Sequence, residues 1–377
     1  MHILTLSDRI TIPREPPIDP GDYLLTDINA ADLLQWAGRG QMRPLPEGRP
    51  FDESKDWSGK KILFMRPGGF GDLILLTPVL RELKRRWPDC TIGVSTMRHY
   101  SCVFNGLPFV TGILRYPLPV AEANQFDAWI MLENAVELNP RARQIHMTDL
   151  FAEITGLSSI QDKQPAYRVS VQELNWCREQ YPRKAGVRRL CVAPGASTPS
   201  RVFPIPLFGA VIGEFVTKGW EVLVLGTPQD LGDFKIKPHE GLRNLTEFNH
   251  TFRQSCAVMN NADCLLGNDS AMVHVAGALG TPAVALYGPF PWALRTAYSH
   301  SVTALQGRCP VSPCFHHVNL TKRNFFPDNC PSASRNYCEA LGGKMDDKGK
   351  QEGGIRVSKI ATTIELVARR FEPTEML

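Results

Sequence analysis

The sequence lacks any apolar run close to the ~20 residues that a membrane-spanning helix needs. Its N-terminus lacks the basic start, the sustained apolar stretch and the small-residue cleavage site of a signal peptide. We therefore expect a cytoplasmic protein, with room for peripheral association at the inner membrane surface. In that compartment the ten cysteines are mostly reduced thiols or metal ligands.

Two patterns of nucleotide-binding enzymes are also missing. The stretch GGFGD, residues 68–72, does not have the G-x-G-x-x-G spacing of a dinucleotide fingerprint. No strand-like run is followed by an Asp-x-Asp pair that would carry a divalent ion to a diphosphate. Dense basic runs interleaved with aromatic residues, which single-strand nucleic-acid grooves use, are absent as well. We therefore expect no catalytic metal, and a nucleic-acid partner is the weaker alternative.

What is present is an alternation of short apolar runs and amphipathic segments. It predicts an α/β protein with parallel sheets in two Rossmann-like domains, whose ligands sit at the carboxyl ends of the strands in a cleft between the domains. The predicted organisation is an acidic extension with a helix-like patch at 28–38, a first Rossmann-like domain, a second Rossmann-like domain that contains a Cys-rich insertion at 306–355, and a last helix that packs back across the domains. The ranges are 1–56, 57–180, 181–355 and 356–377.

The stretch RPGGFGDLILLTP joins an apolar strand, KILFMR, to a helix with an apolar stripe at 3,4,3,4 spacing. Gly68, Gly69 and Gly71 open space beside the strand end, and Asp72 stands at the top of the helix. An ionised carboxylate there can accept a proton from an attacking hydroxyl. The alternative is a simple helix cap. Pro78 predicts either a kink or a restart of the helix with Thr77 as N-cap.

Two segments of the second half suit an anionic ligand. In APGASTPSR a strand runs into a loop of small and hydroxyl residues, where Arg201 can clamp a phosphate. In GNDSAMVH a strand ends before a helix whose first N–H groups favour an anion. The alternatives are a polar turn, an N-cap at Asp269 and a packed helix histidine at His274. The candidate residues for binding this anionic ligand are Gly195, Ser197, Thr198, Arg201, Asp269, Ser270, Ala271, Met272 and His274.

In order and spacing, these three segments resemble the heptosyltransferases of glycosyltransferase family 9. The resemblance covers roughly residues 60–305 and the last helix. It implies a GT-B fold of two facing domains, inversion at the anomeric carbon and no catalytic metal. It also implies that Asp72 is the general base, that Arg201 lies near the donor phosphates, and that residues 269–274 bind the donor.

The chain departs from that family's pattern at two of these positions. Arg201 stands where the family usually has lysine, and Ala271 where it usually has glycine, so the donor sugar and base stay open. The extension carries a net charge of −4, which leaves +8 on the rest of the chain. Arg81, Lys84, Arg85 and Arg86 follow the catalytic loop on one helix. We expect them to favour an anionic saccharide or glycolipid acceptor.

The insertion contains four cysteines, Cys309, Cys314, Cys330 and Cys338, with His316 and His317 nearby. Their spacings of 4, 15 and 7 residues differ from the regular CxxC…CxxC pattern. Structural zinc, free thiols and disulfides all stay open.

Taken together, the sequence predicts an inverting, metal-independent glycosyltransferase. It would move a heptose-like sugar from a nucleoside-diphosphate donor to a saccharide or glycolipid hydroxyl. The rivals are a transferase of the same fold that acts on hydroxylated DNA bases, a sugar-nucleotide epimerase, and a non-catalytic sugar-nucleotide-binding protein.

Overall fold

The structure, a computed structural model, describes residues 2–10, 17–25, 41–44, 48–133, 135–136, 139–315, 330, 332, 338–345 and 351–370. The chain divides into two compact units, Met1–Lys163 and Gln164–Leu377. Each contains its own parallel sheet, as the alternation of strands and helices predicts.

The N-terminal unit contains a parallel sheet of strand order β6-β5-β4-β8. Its strands are β4 (Lys61–Met65), β5 (Thr91–Thr96), β6 (Gly112–Arg115) and β8 (Ala128–Met131). The apolar runs KILFMR, TIGVST and AWIML form three of these strands, and most of their side chains are buried. The helices of this unit are α1 (Phe70–Arg86), α2 (Val120–Ala123) and α3 (Met147–Thr155). Arg66 follows β4 and Leu132 follows β8, so both lie at the carboxyl edge of the sheet.

The N-terminal extension forms part of a second sheet. Its strands β1 (His2–Leu6), β2 (Gly21–Leu25) and β3 (Gln41–Pro44) pair antiparallel, and β7 (Leu118–Pro119) joins them from the body of the unit. The small core of this part includes Leu4, Ile18 and Tyr23. The helix-like patch at 28–38 lies outside the described residues.

Helix α1 runs unbroken through Pro78, which settles the choice between a kinked and a restarted helix. Proline has no N–H, so the carbonyl of Ile74 loses its usual donor four residues later. The hydroxyl of Thr77 donates to that carbonyl instead, at 2.6 Å. The leucines of the 3,4,3,4 stripe are fully buried.

The C-terminal unit contains six parallel strands in the order β11-β10-β9-β12-β13-β14. They are β9 (Arg189–Ala193), β10 (Glu221–Val224), β11 (Leu242–Asn244), β12 (Cys264–Asn268), β13 (Ala283–Tyr287) and β14 (Val302–Gln306). The helices are α4 (Val171–Gln180), α5 (Ile205–Thr217), α6 (Pro228–Leu231), α7 (Phe252–Asn260), α8 (Ala271–Leu279), α9 (Glu339–Gly342) and α10 (Val357–Arg370). A two-stranded ribbon joins β15 (Lys344–Met345) to β16 (Gln351–Glu352).

The boundary between the units falls at Lys163, earlier than the predicted 180. The reason is helix α4, which packs on α7 of the C-terminal unit. Glu173 of α4 pairs with Arg253 of α7 at 2.5 Å, with both side chains largely buried. Helix α4 therefore belongs to the second unit.

Helices α5 and α10 both contribute side chains to the core of the C-terminal unit. Helix α10 packs on α5 and β13, and residues 371–377 lie outside the description. Within the described part of the chain, the segment Pro199–Thr217 alone has the length and apolarity of a membrane span. Half of that segment is buried, and Phe208 and Phe215 of α5 belong to the core cluster. Core packing thus accounts for its apolar composition.

Candidate active site

In the N-terminal unit, the loop after β4 brings Asp72 against Arg66. The guanidinium Nη2 of Arg66 contacts the carboxylate Oδ2 of Asp72. Arg66 is buried, donates from Nη1 to the carbonyl of Leu132 at 2.7 Å, and places its guanidinium 5.9 Å from the ring of Phe151. A charge-assisted contact of this kind holds the carboxylate in one orientation. Asp72 itself is about a quarter exposed, so a substrate hydroxyl can reach it.

Asp72 lies in the first turn of α1 and is not its N-cap residue. The N-cap of α1 is Gly69, and no side chain makes a cap hydrogen bond there. Gly69 has φ +90°, a conformation that glycine adopts without strain. A Cβ at this position would lie 2.6 Å from Asp72 Oδ2. The glycine therefore allows the carboxylate to lie directly over the backbone of the loop.

The absence of a side chain at Gly68 also creates space, and another side chain of the protein fills it. A Cβ at Gly68 would lie 2.4 Å from Cε2 of Tyr100, so the ring of Tyr100 packs on the loop backbone.

A cavity of about 200 Å³ opens at the carboxyl ends of β5 and β6. Its lining is Ile18, Thr96, Arg98, Ser101, Ile113, Leu114, Arg115, Tyr116 and Pro117.

The basic residues of α1 lie in the same unit as Asp72, but at the other end of the helix. Arg85 lies more than three turns beyond Asp72, about 20 Å along the axis at ~1.5 Å per residue. The charges there are paired within the protein. Arg81 contacts Asp162 at 2.8 Å, and Arg85 and Arg86 each contact Glu82 at 2.7 Å. Lys84 donates to the carbonyl of Pro88 at 2.7 Å. These residues stabilise the end of the helix.

In the C-terminal unit, Arg201 joins the two predicted donor segments. Its Nη1 donates to the carbonyl of Asp269 at 3.0 Å and lies 3.8 Å from the Asp269 carboxylate. Its Nε donates to Thr198 Oγ1 at 3.3 Å, and its Nη2 contacts Ser197 Oγ. Strands β9 and β12 are neighbours in the sheet, so the loops after them meet at the same edge.

The side chain of Asn268 also connects the loops after β9 and β12. Its Nδ2 donates to the carbonyl of Pro194 at 2.6 Å, and its Oδ1 accepts from the N–H of Phe203 at 3.1 Å. Next to it, Gly195 approaches Asp230 so closely that a Cβ would lie 2.5 Å from Asp230 Oδ1. The loop between strand and helix is thereby held in one conformation.

The start of α8 presents buried polar atoms that have no hydrogen-bond partner among the described residues. They are both carboxylate oxygens of Asp269 and the hydroxyl oxygen of Ser270. The N-cap is Ser270, so the alternative of Asp269 as the cap is wrong. Nε2 of His274 lies 4.0 Å from the Asp269 carboxylate. Ala271 and Met272 occupy the first helical turn. Unpaired buried polar atoms are costly, and a bound ligand would remove that cost.

Comparison with known proteins identifies the family. The model of glycosyltransferase family 9 (heptosyltransferase) matches residues 125–324, more than half of the chain. The protein belongs to glycosyltransferase family 9. The chain is 24% identical over 150 residues to lipopolysaccharide heptosyltransferase 2 of Escherichia coli K12, a match that spans 38% of this chain and 43% of that protein. It therefore aligns with less than half the length of this curated relative.

Solved structures share the fold of this family 9 protein. E. coli ADP-heptose lipopolysaccharide heptosyltransferase II superposes with a TM-score of 0.60 at 17% identity, over 83% of this chain and 100% of that one. The iron-containing dodecameric glycosyltransferase TibC of enterotoxigenic E. coli superposes with a TM-score of 0.61 at 14% identity, over 98% and 92%. These neighbours confirm the predicted GT-B-like α/β fold.

Two further residues near Asp269 in this family 9 protein, Tyr287 and Arg295, were not predicted from the sequence. Tyr287 ends β13, the strand next to β12, and is fully buried. Burial and the negative charge of Asp269 raise the pKa of its hydroxyl well above the usual value. Arg295, also buried, places its guanidinium 4.8 Å from the ring of Phe290. The available signal was a tyrosine that ends an otherwise apolar strand at the ligand edge of the sheet.

None of the four cysteines of the insertion forms a disulfide bond, and neither does any of the other six. Cys338 is buried, and burial raises the pKa of its thiol to about 12, with Cys309 and Cys314 close enough to raise it further. Across the described residues, no group of three or more His, Cys, Asp or Glu side chains is arranged to hold a metal ion. His316 and His317 lie outside those residues. Zinc stays a prediction.

Proposed function

We propose that this protein transfers a heptose-like sugar from a nucleoside-diphosphate donor to the hydroxyl of a saccharide or glycolipid acceptor, with inversion at the anomeric carbon. The observation that carries the proposal is the junction of Arg201 with the start of α8. There a guanidinium and helix N–H groups converge beside unpaired buried oxygens. This is the chemistry that recognises a diphosphate and the hydroxyls of a sugar nucleotide.

In the proposed reaction, Asp72 accepts the proton of the acceptor hydroxyl. The acceptor oxygen then forms a bond to the anomeric carbon, while the bond from that carbon to the diphosphate oxygen breaks. The negative charge that appears on the departing diphosphate is stabilised by Arg201 and by the N–H groups of Ser270, Ala271 and Met272. Arg66 holds the carboxylate of Asp72 in place during the proton transfer. These charges allow the step to proceed without a divalent metal.

The relatives named above suggest the substrates. One acts with ADP-heptose on lipopolysaccharide, so ADP-heptose is the donor that we propose. The basic residues at the end of α1 pair largely within the protein, so the likeness to lipopolysaccharide enzymes, and not these residues, supports an anionic saccharide or glycolipid as the acceptor that we propose. Ten cysteines without a disulfide bond favour a reducing compartment, so we propose a cytoplasmic location, where a membrane glycolipid is reached from the inner face.

The test is an assay of the purified protein with ADP-heptose and lipopolysaccharide that lacks heptose. We expect release of ADP together with a glycosylated product of inverted anomeric configuration, detected by NMR. An altered sugar still attached to the nucleotide would indicate an epimerase. Donor binding without ADP release, with every acceptor tested, would indicate a binding protein and contradict the proposal.

We also propose that one structural metal ion, when it binds, draws together the four cysteines of the insertion, which do not form a metal-binding group in the arrangement described above. Cys309, Cys314 and Cys338 lie close enough for their charges to interact, and four thiols are a donor set for zinc or iron. The neighbour TibC is an iron-containing protein. The measurement is elemental analysis of the purified protein and of a Cys338→Ser variant. About one iron or zinc per chain that is lost in the variant supports the site, and a metal-free native protein contradicts it.

A further inference from the structure

Three aromatic side chains border the glycine-rich loop of the N-terminal unit. The ring of Phe70 lies 4.7 Å from that of Tyr100 and 6.5 Å from that of His99, both edge to face. The rings of His99 and Tyr100 are 3.8 Å apart. His99 is exposed and the other two are half-buried, whereas Phe64 and Phe104 of the same unit are inside the core. Aromatic side chains are therefore at least partly accessible to solvent at this loop.

Hydrogen bonds hold this aromatic cluster of Phe70, His99 and Tyr100 against the loop. The N–H of Met97 and the hydroxyl of Thr96 both donate to the carbonyl of Pro67, at 2.9 and 3.0 Å. The ring of Tyr100 then covers Gly68, where any larger residue would collide with it. The position of the rings relative to the loop is thus fixed by the hydrogen bonds to Pro67 and by the absence of a side chain at Gly68.

The same loop carries the carboxylate that the reaction requires. Phe70 is the first residue of α1 and Asp72 the third, and the Asp72 carboxylate lies over Gly69. The donor-binding segment with Arg201 and Asp269 belongs to the other unit. The acceptor, whose hydroxyl must reach Asp72, is therefore the substrate that can contact the rings of this loop.

We propose that Phe70, His99 and Tyr100 are positioning residues that bind a ring face of the acceptor sugar and direct its hydroxyl to Asp72. Aromatic rings present an electron-rich face, which attracts the C–H groups on one side of a pyranose. The rings of Phe70 and Tyr100 pack on each other, and Tyr100 also packs on the loop, so little freedom is lost when they bind a ligand. Holding the reacting hydroxyl in place contributes directly to the rate. The inference rests on the proposed function.

The first experiment compares Tyr100→Leu with Tyr100→Phe in the transfer assay with heptose-free lipopolysaccharide. We expect the leucine variant to raise the acceptor KM about 3–10-fold, the range for loss of one aromatic contact, with donor affinity unchanged. The phenylalanine variant keeps the ring and should behave as wild type. A matched control is Phe51→Leu, a half-buried aromatic beside Trp87 at the far end of α1. Equal effects of Phe51→Leu and Tyr100→Leu on the acceptor KM would overturn the proposal.

A second variant separates positioning from folding. Gly68→Ala should displace the ring of Tyr100 and raise the acceptor KM, and this effect should disappear in a Tyr100→Leu background, where the clash is absent. Additive losses would contradict the proposed role of the ring.

Saturation-transfer NMR with the deacylated heptose-free saccharide gives a readout that needs no transfer. Saccharide binding that depends on Tyr100, with no ADP release, would support the subsite and refute the transfer function. Transfer that is indifferent to all three rings would refute the subsite alone.

Discussion

Arg201 donates a hydrogen bond from Nη1 to the backbone carbonyl of Asp269 at 3.0 Å, across two loops that are 68 residues apart in the chain. The same guanidinium contacts Thr198 and Ser197. One side chain therefore holds together the loops after two neighbouring strands. It also adds a positive charge where the helix dipole of α8 already favours an anion.

We predict that Arg201→Ala weakens the binding of a nucleoside diphosphate by about 10–150-fold, since a charged hydrogen bond contributes about 1.5–3 kcal/mol. Binding of the nucleoside alone should change much less. Calorimetry with ADP and adenosine measures both. Arg201→Lys is the control, since it restores the residue usual in the family and should recover part of the affinity. Equal losses for the two ligands would show a folding defect instead.

Replacing Asp72 by asparagine should lower the transfer rate by roughly 10²–10⁴-fold, the usual contribution of a general base. Donor affinity should be nearly unchanged, because Asp72 lies in the other unit from the donor segment. Steady-state kinetics and ADP titration measure the two quantities. Asp149, an acid of α3 that pairs with Lys163, provides a control substitution, Asp149→Asn. Near wild-type turnover of the Asp72 variant would remove the carboxylate from the mechanism.

Transfer should proceed without magnesium or manganese, because Arg201 and the start of α8 supply the positive charge that a divalent ion would otherwise provide. The assay is run after dialysis against EDTA, with and without added magnesium. Activity that disappears and returns with magnesium would contradict this mechanism. Activity that returns only with zinc or iron would instead indicate the cysteines of the insertion.

Neutralising the basic end of α1, for example by Arg85→Gln, should leave the acceptor KM unchanged. The residue is paired with Glu82 and lies about 20 Å along the helix from Asp72. A small fall in thermal stability is the expected effect, as for other surface ion pairs. A marked rise in the acceptor KM would restore the interpretation of this helix end as an anion-binding surface.

Thr77→Val should lower the midpoint of thermal unfolding by several degrees, because the buried carbonyl of Ile74 would lose the hydroxyl donor that replaces the missing N–H of Pro78. In a Pro78→Ala background the backbone N–H returns, so the same substitution should cost much less. Differential scanning fluorimetry of the four proteins completes the cycle. Equal losses in both backgrounds would show that the hydroxyl does not compensate for the proline.

The sequence by itself determined the parallel α/β class, the family and the order of the three ligand-facing segments. Strand runs such as KILFMR and TIGVST are apolar throughout because both faces of a parallel sheet are covered, and that signal is local. The positions of Arg201 and Asp269 after strands could also be predicted, since such loops collect at one edge of a sheet. The ion pairs that the basic residues of α1 make with Glu53, Glu82 and Asp162 could not be predicted, because Glu53 and Asp162 are distant in the sequence.

Only the tertiary structure decided which groups meet. The hydrogen bond from Arg66 to the carbonyl of Leu132, the packing of Tyr100 on Gly68 and the burial of Tyr287 beside Asp269 depend on strand order and register. Those relationships join residues from separate strands and loops, so no local pattern specifies them. The glycines of the loop illustrate the difference. The sequence predicted that they make space, and the structure showed that a ring and a carboxylate occupy it.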